Sequence, residues 1–276
     1  MKIGEALRFG MKELGQNKGP EAQMLLAFVV GKERAVLLAH TDDDLTLMQE
    51  KQYLQLLEQR RENTPLQYLT NQANFYGRDF YVDERVLIPR FDTEVLLECA
   101  LERIDGAEKR VVDICTGSGI LAISVALEKN CEVWAVDLSA DALAVAKKNA
   151  ALLNATVHWE QGDLFAPLYE KNLQAYFDVM ISNPPYITAE EMELLDEEVK
   201  KEPEMALYGG KDGLDFYRTL ANEAQDYLKN GGYLLLEIGY LQGEGVKNLL
   251  ESAGFVDVFV KKDWQGHDRV VGGRKK

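Results

Sequence analysis

The sequence predicts an α/β protein whose seven-stranded, mostly parallel sheet is covered on both faces by helices and preceded by a small helical bundle and a β-hairpin. Three observations predict it. Residues 1–72 carry apolar positions at helical spacing only, and from residue 92 short apolar runs alternate with helical segments. The chain then closes with two β-rich runs, FVDVFVKK (255–262) and DRVVGG (268–273), joined by a short connection. Alternation of strands and helices is what a parallel sheet with crossover helices needs, whereas a short connection joins strands antiparallel.

Along the chain, the bundle is read from Ile3, Leu7, Met11 and Leu14, then Met24, Leu25, Phe28 and Val29, then Leu54 and Leu57. Gly19-Pro20 is a turn, and Thr41-Asp42-Asp43-Asp44 a turn or helix start. The aromatic and β-branched stretch NFYGRDFYVDERVLIPR, with turn candidates at Gly77 and Asp83-Glu84, marks residues 73–91 as a hairpin linker. Within residues 92–276, strands are expected near 110–114, 132–136, 156–160, 178–182 and 233–238. Helices are expected near 93–104, 119–129, 139–152 and 213–229.

The 276 residues are 46% hydrophobic, enough for a packed core. No apolar run approaches the roughly 18 residues that cross a bilayer, and MKIGEALRFGMKEL has helical spacing, unlike a signal peptide, so a cytoplasmic protein without membrane association is expected. Cys99, Cys115 and Cys131 lack metal-site spacing and read as buried reduced thiols, and His40, His158 and His267 lie far apart, so no metal is expected. A net charge of −15 works against general attraction to nucleic acid, and Arg274-Lys275-Lys276 reads as a solvated end. The chain is expected to be a monomer.

The first predicted strand runs into VVDICTGSGILAIS, where Gly117 and Gly119 allow a tight turn that brings backbone N–H groups close to a ligand. A plain strand-to-helix turn is one reading, and the loose G-x-G-x-x-A pattern also admits a nicotinamide dinucleotide. Asp137, 18 positions after Gly119 at the end of the second strand, suits the two hydroxyls of a ribose. Asp113, beside the turn, suits a ligand carrying an ammonium and a sulfonium better than one carrying a pyrophosphate, which favours S-adenosylmethionine. Asp163, after the third strand, is placed to accept from an adenine amino group with Leu164 against the ring, or is a plain loop acid.

The run FDVMIS stops at Asn183-Pro184-Pro185-Tyr186. In a parallel sheet ligands lie beyond the carboxyl ends of the strands, so Asn183 should face the same crevice as the glycine turn. Its side-chain oxygen and the Pro184 carbonyl are two acceptors that match an –NH2 group, and Tyr186 offers a flat face for a planar substrate. Such bonds would aim the nitrogen and stabilise charge growing on it without a strong base. An Asn-capped proline turn is the plainer reading.

These residues carry a resemblance that spans essentially the whole chain, through VLIPRFDTE (86–94), DICTGSG (113–119), VDLSADAL (136–143), NPPYI (183–187), EPEMALYGGKDGLDFYR (202–218), LLLEIGYLQG (234–243) and HDRVV (267–271). The chain resembles the HemK-type release-factor glutamine methyltransferases. The resemblance implies a Rossmann-like class I methyltransferase fold, S-adenosylmethionine as cofactor and S-adenosylhomocysteine as product. It implies transfer to the side-chain nitrogen of the Gly-Gly-Gln glutamine in class-1 peptide chain release factors, with residues 1–72 docking that protein. It implies cofactor contacts from Thr116, Gly117, Ser118, Gly119, Ile120, Asp137 and Asp163, and substrate contacts from Asn183, Pro184, Pro185 and Tyr186. Phe91 departs from the family, which usually has proline there; Arg90 and Glu94 are flanking groups at the site or a surface ion pair.

NPPY is shared with adenine-N6 DNA methyltransferases, but an acidic chain with so small a helical domain does not suit duplex binding and base flipping. An NAD-linked oxidoreductase gives Asn183 and Tyr186 no role. After the motif, Thr188 and Glu191 form a capping box for a helix with the stripe Met192, Leu195 and Val199. The acids of residues 190–204 read as a solvated face or as a rim for a basic partner, and Gly209 to Gly213 as a tight turn.

Overall fold

The computed structural model describes residues 1–106 and 108–276. They form two compact units, residues 1–72 with 196–201, and residues 73–195 with 202–276. None of the described helices is long and apolar enough to cross a membrane.

The first unit holds α1 (Ile3–Leu14), α2 (Gly19–Val30), α3 (Arg34–Ala39), α4 (Leu47–Arg61) and α5 (Leu66–Thr70). Pro20 opens α2, where its missing N–H costs nothing, and Gly31 closes it in the left-handed region. Ile3, Leu7, Leu25, Leu26, Tyr53 and Leu57 form its core. Met24, Phe28 and Leu54, expected on the apolar stripe, are 46%, 42% and 37% exposed. Neighbours such as Met24 and Leu25 are a hundred degrees apart on a helix of about 3.6 residues per turn, so only one of each pair turns inward. The buried Arg60 is held by Glu21 and by Glu198.

In the second unit β1 (Ala73–Phe75) and β2 (Arg78–Phe80) form the antiparallel hairpin, with Ala73 opposite Phe80 and a turn at Tyr76 and Gly77, both at positive φ. There follow α6 (Thr93–Leu101), β3 (Arg110–Ile114), α7 (Ile120–Glu128), β4 (Glu132–Asp137), α8 (Ala140–Leu153), β5 (His158–Gln161) and α9 (Ala166–Glu170). The rest are β6 (Phe177–Ser182), α10 (Ala189–Leu194), α11 (Asp215–Tyr227), β7 (Leu228–Glu237), α12 (Gly243–Ser252), β8 (Val256–Lys262) and β9 (Asp268–Arg274). The sheet order is β5-β4-β3-β6-β7-β9-β8, and only β9 runs against its neighbours, as the short β8–β9 connection requires.

Successive residues of the strands enter two separate cores, as their period of two dictates. Val111, Val179, Ile181 and Leu235 pack with α6, α7 and the hairpin's Phe75 and Phe80. Val112, Met180, Leu234 and Leu236 pack with α9, α11 and α12. Register then sets the site: Ile114 is level with Val136 and Ser182, and Ser182 with Leu236. Cys115, Asp137, Asn183 and Glu237 therefore stand side by side at the carboxyl edge of the sheet.

α10 ends at Leu194, and Leu195 is already extended, so the expected stripe of Met192, Leu195 and Val199 does not form. Carboxylates at Glu190, Glu191, Glu193 and Glu197 crowd one another at helical spacing, which opposes continuation. Of the acids beyond the helix, Glu198 is drawn to Arg60 and Lys18, and Glu202 is buried. Glu190, Glu191, Glu193, Asp196, Glu197 and Glu204 remain exposed.

Candidate active site

The turn after β3 is built by backbone conformations that the side chains tolerate unequally. Cys115, Gly117 and Gly119 have φ of 62°, 55° and 82°. For a non-glycine residue such as Cys115 this strain is of the order of 1–2 kcal/mol, and it is held in place by Thr116 N–H donating to the Val136 carbonyl at 3.0 Å. The two glycines serve different ends. A Cβ on Gly117 would meet nothing within 4 Å, leaving open space for a ligand, whereas one on Gly119 would lie 3.0 Å from Ala146 and Ile123 and 3.1 Å from Trp159. Gly119 thus lets α7 settle onto α8 and β5.

Asp137 ties the turn to β4, accepting from Gly117 N–H at 2.7 Å and Ser139 N–H at 2.9 Å. Burial raises its pKa, and these backbone bonds pull it back. Asp113 is fully buried; its Oδ2 accepts from the Thr116 hydroxyl at 2.6 Å and from Ala122 N–H at 3.3 Å, while among the described residues its Oδ1 has no partner. Burial, aided by the charge of Asp137, pushes it up to about 7.

An open cleft lies over this edge. Of the residues singled out in the sequence, Arg90, Thr116, Gly117, Ser118, Ile120, Asp137, Asp163, Leu164, Asn183 and Pro185 line it. Asp113, Gly119, Pro184 and Tyr186 are not on its wall. Asp113 and Gly119 lie beneath the turn, which they hold from behind. Phe91 is 76% exposed and does not line the cleft, so the departure at this position leaves the wall unchanged. Arg90 and Glu94 do not pair with each other: Arg90 bonds Glu202, and Glu94 accepts from Tyr76 N–H at 2.9 Å.

The Asn-Pro-Pro-Tyr segment is clamped by residues whose role the sequence did not disclose. Ile187 N–H donates to the Leu207 carbonyl and Gly209 N–H to the Ile187 carbonyl, each at 2.9 Å. Gln242 donates its side-chain N–H to the Tyr186 carbonyl at 3.0 Å and to that of Gly213 at 3.2 Å. A Cβ on Gly209 would sit 2.6 Å from the Pro185 carbonyl oxygen and the Tyr186 Cα. These are backbone atoms that cannot swing aside, so Gly209→Ala is expected to cost about 1–3 kcal/mol and at least tenfold in turnover, read by thermal unfolding and a methyl-transfer assay. Asn149 was also missed: fully buried on α8, it bonds Tyr81 N–H, the Tyr81 carbonyl and, at 2.9 Å, the Ser118 carbonyl. An asparagine among the apolar positions of KKNAALL was the available signal.

Asn183 donates Nδ2–H to the Thr93 hydroxyl at 3.4 Å, and among the described residues no donor reaches its Oδ1 or the Pro184 carbonyl. Burial raises the pKa of Tyr186, so its phenol stays protonated. Among the described residues no histidine lines the cleft. The carboxamide oxygen of Asn183 is an acceptor on the cleft wall, and among the described residues that line the cleft there is no strong base to take a proton from a bound group.

Residues 90–211 match the Methyltransferase small domain family, and residues 5–70 the PrmC N-terminal domain. A release factor glutamine methyltransferase of Clostridium acetobutylicum is 41% identical over 98% of this chain and 98% of its own length. One from Bacillus anthracis has the same identity and the same coverage of both chains. In fold, the chain is similar to a crystal structure of a Pyrococcus furiosus methyltransferase, at a TM-score of 0.54 and 21% identity over 73% of this chain and 90% of that one. With these likenesses running from the helical unit through the whole sheet, the chain belongs to the family of release factor glutamine methyltransferases.

Proposed function

We propose that this methyltransferase takes S-adenosylmethionine and methylates N5 of the glutamine in the Gly-Gly-Gln loop of class-1 peptide chain release factors. The observation that carries the reading is the free carboxamide oxygen of Asn183 on the wall of the same cleft as the glycine turn. The names of the relatives supply the protein substrate.

The donor set fits the cofactor. A cationic ligand relieves the repulsion between Asp113 and Asp137, two acids that the chain holds close together with one Asp113 oxygen unpartnered among the described residues. Asp137 has lone pairs left for ribose hydroxyls, Asp163 and Leu164 would take the adenine, and Thr116 through Ile120 would wrap the remainder. When bound, the cofactor supplies an electrophilic methyl group. Asn183 Oδ1 and the Pro184 carbonyl accept from the two N–H bonds of the glutamine amide and hold its nitrogen in line. As that nitrogen becomes positive the same two bonds strengthen, which lowers the barrier. One of its two protons then leaves to solvent, because an amide nitrogen that carries the methyl group and a positive charge is strongly acidic. Residues 1–72 dock the release factor, and 73–91 link that unit to the methyltransferase domain at 92–276.

The test is transfer of labelled methyl to purified release factors and, separately, to DNA, with mass mapping of the product. Label on the Gly-Gly-Gln glutamine is expected; label on adenine alone would refute the reading.

A further inference from the structure

Arg90 stands on the cleft wall with a guanidinium that the fold anchors at one corner. A terminal N–H donates to Glu202, which is 6% exposed, and the other oxygen of Glu202 accepts from Ile88 N–H at 3.0 Å. The carboxylate is thus tied to the chain two positions before the arginine, so the backbone at Ile88 and the side chain of Arg90 are set together. Among the described residues the guanidinium makes no other hydrogen bond, and the side chain is 37% exposed.

Arg85 also lines the cleft, but its fork is already closed: Nε and a terminal nitrogen both donate to the Asp83 carboxylate, at 2.8 and 2.6 Å. Among the described residues of the wall these two arginines are the only cations, and they share it with the acids Asp137 and Asp163. An anionic group entering the cleft therefore finds spare guanidinium donors at Arg90.

Place agrees with charge. Asp163 follows β5, Asp137 ends β4, the glycine turn follows β3 and Asn183 follows β6, and these strands stand side by side in that order. A cofactor with its adenine at Asp163, its ribose at Asp137 and its sulfur before Asn183 has its amino-acid end beyond the sulfur, on the side away from Asp163. Arg90 belongs to that side. Its carbonyl accepts from Thr93 N–H at 3.2 Å, and the Thr93 side-chain oxygen accepts from Asn183 Nδ2–H at 3.4 Å. We propose that Arg90 binds the carboxylate at the amino-acid end of the cofactor through the N–H groups that Glu202 leaves free. The inference rests on the cofactor reading given above and adds a specificity to it: the site selects S-adenosyl compounds that keep the carboxyl group over those that have lost it.

The experiment is titration calorimetry of the full chain with S-adenosylhomocysteine and with its decarboxylated counterpart, which keeps the adenosine, the sulfur and the amino group. The wild type is expected to bind the carboxylate-bearing ligand about tenfold to a hundredfold tighter, as charge-assisted bonds to a guanidinium would give. In Arg90→Met most of that preference is expected to vanish through a rise in Kd for S-adenosylhomocysteine, with the Kd of the decarboxylated ligand raised no more than about twofold. Arg90→Lys, which keeps the charge and loses the fork, should retain part of it. Equal weakening of both ligands in Arg90→Met, as a mere brace of the wall would give, or an unchanged preference, would overturn the proposal. Should Arg90→Met not fold, because Glu202 is left buried without its cation, the double variant Arg90→Met with Glu202→Gln removes both charges and is measured in its place. A wild type that binds neither ligand refutes the cofactor reading and this inference with it, whereas a wild type that binds both equally refutes the carboxylate site alone.

Discussion

Asn183→Ala is expected to lower kcat for methyl transfer by about a thousandfold while changing the cofactor Kd less than about threefold. The size follows from losing a pre-aimed acceptor in a sheltered site, where one such group contributes roughly a hundred- to a thousandfold, and from the poor reactivity of an amide nitrogen that nothing holds in line. The selectivity follows from place. Asn183 is fixed by the end of β6 and by Thr93, whereas the groups assigned to the ribose and adenine come from β4 and the loop after β5. The turn itself survives the change, because Pro184 and Pro185 restrict it and the Ile187, Leu207 and Gly209 backbones clamp it. Single-turnover kinetics with titration calorimetry check both halves. Retention of most of the turnover would exclude the acceptor role.

Asp137→Ala is expected to reverse the emphasis, raising the cofactor Kd by about a hundredfold or more while kcat at saturation changes little. Two losses combine. The ribose hydroxyls lose charge-assisted bonds of roughly 1.5–3 kcal/mol each. The free chain also loses the carboxylate that now holds Gly117 and Ser139 N–H at 2.7 and 2.9 Å, so the cradle is less well formed before binding. Asp137→Asn separates the two, because an amide oxygen can serve only one of those N–H groups. Its Kd is expected to fall between wild type and Asp137→Ala in calorimetry; three equal affinities would remove Asp137 from the cofactor site.

Much of this arrangement was legible in the sequence because the fold and the site obey local rules. Strand and helix periods differ, so the alternation after residue 92 fixed a parallel sheet, and the carboxyl-end rule then put the Gly117 turn and Asn183 on one crevice. What stayed hidden depends on contacts between distant segments. Cysteine does not announce the positive φ of Cys115, nor leucine that of Leu164, at 44°. The run from Gly209 to Gly213 read as a plain turn because its reason, close approach to Pro185 and Tyr186, lies more than twenty positions upstream. Gln242, Asn149 and Thr93 are ordinary polar residues in sequence and acquire roles only through register and packing. The stripe at Met192, Leu195 and Val199 failed for the opposite reason: apolar spacing was present, but the crowded acids and the recruitment of Glu198 by Arg60 ended the helix early.

The most direct test is a crystal structure of the enzyme with S-adenosylhomocysteine and a release factor. The glutamine amide nitrogen should lie about 3 Å from both Asn183 Oδ1 and the Pro184 carbonyl oxygen, facing the sulfur. A glutamine held by other groups, with those two oxygens turned away, would contradict the account.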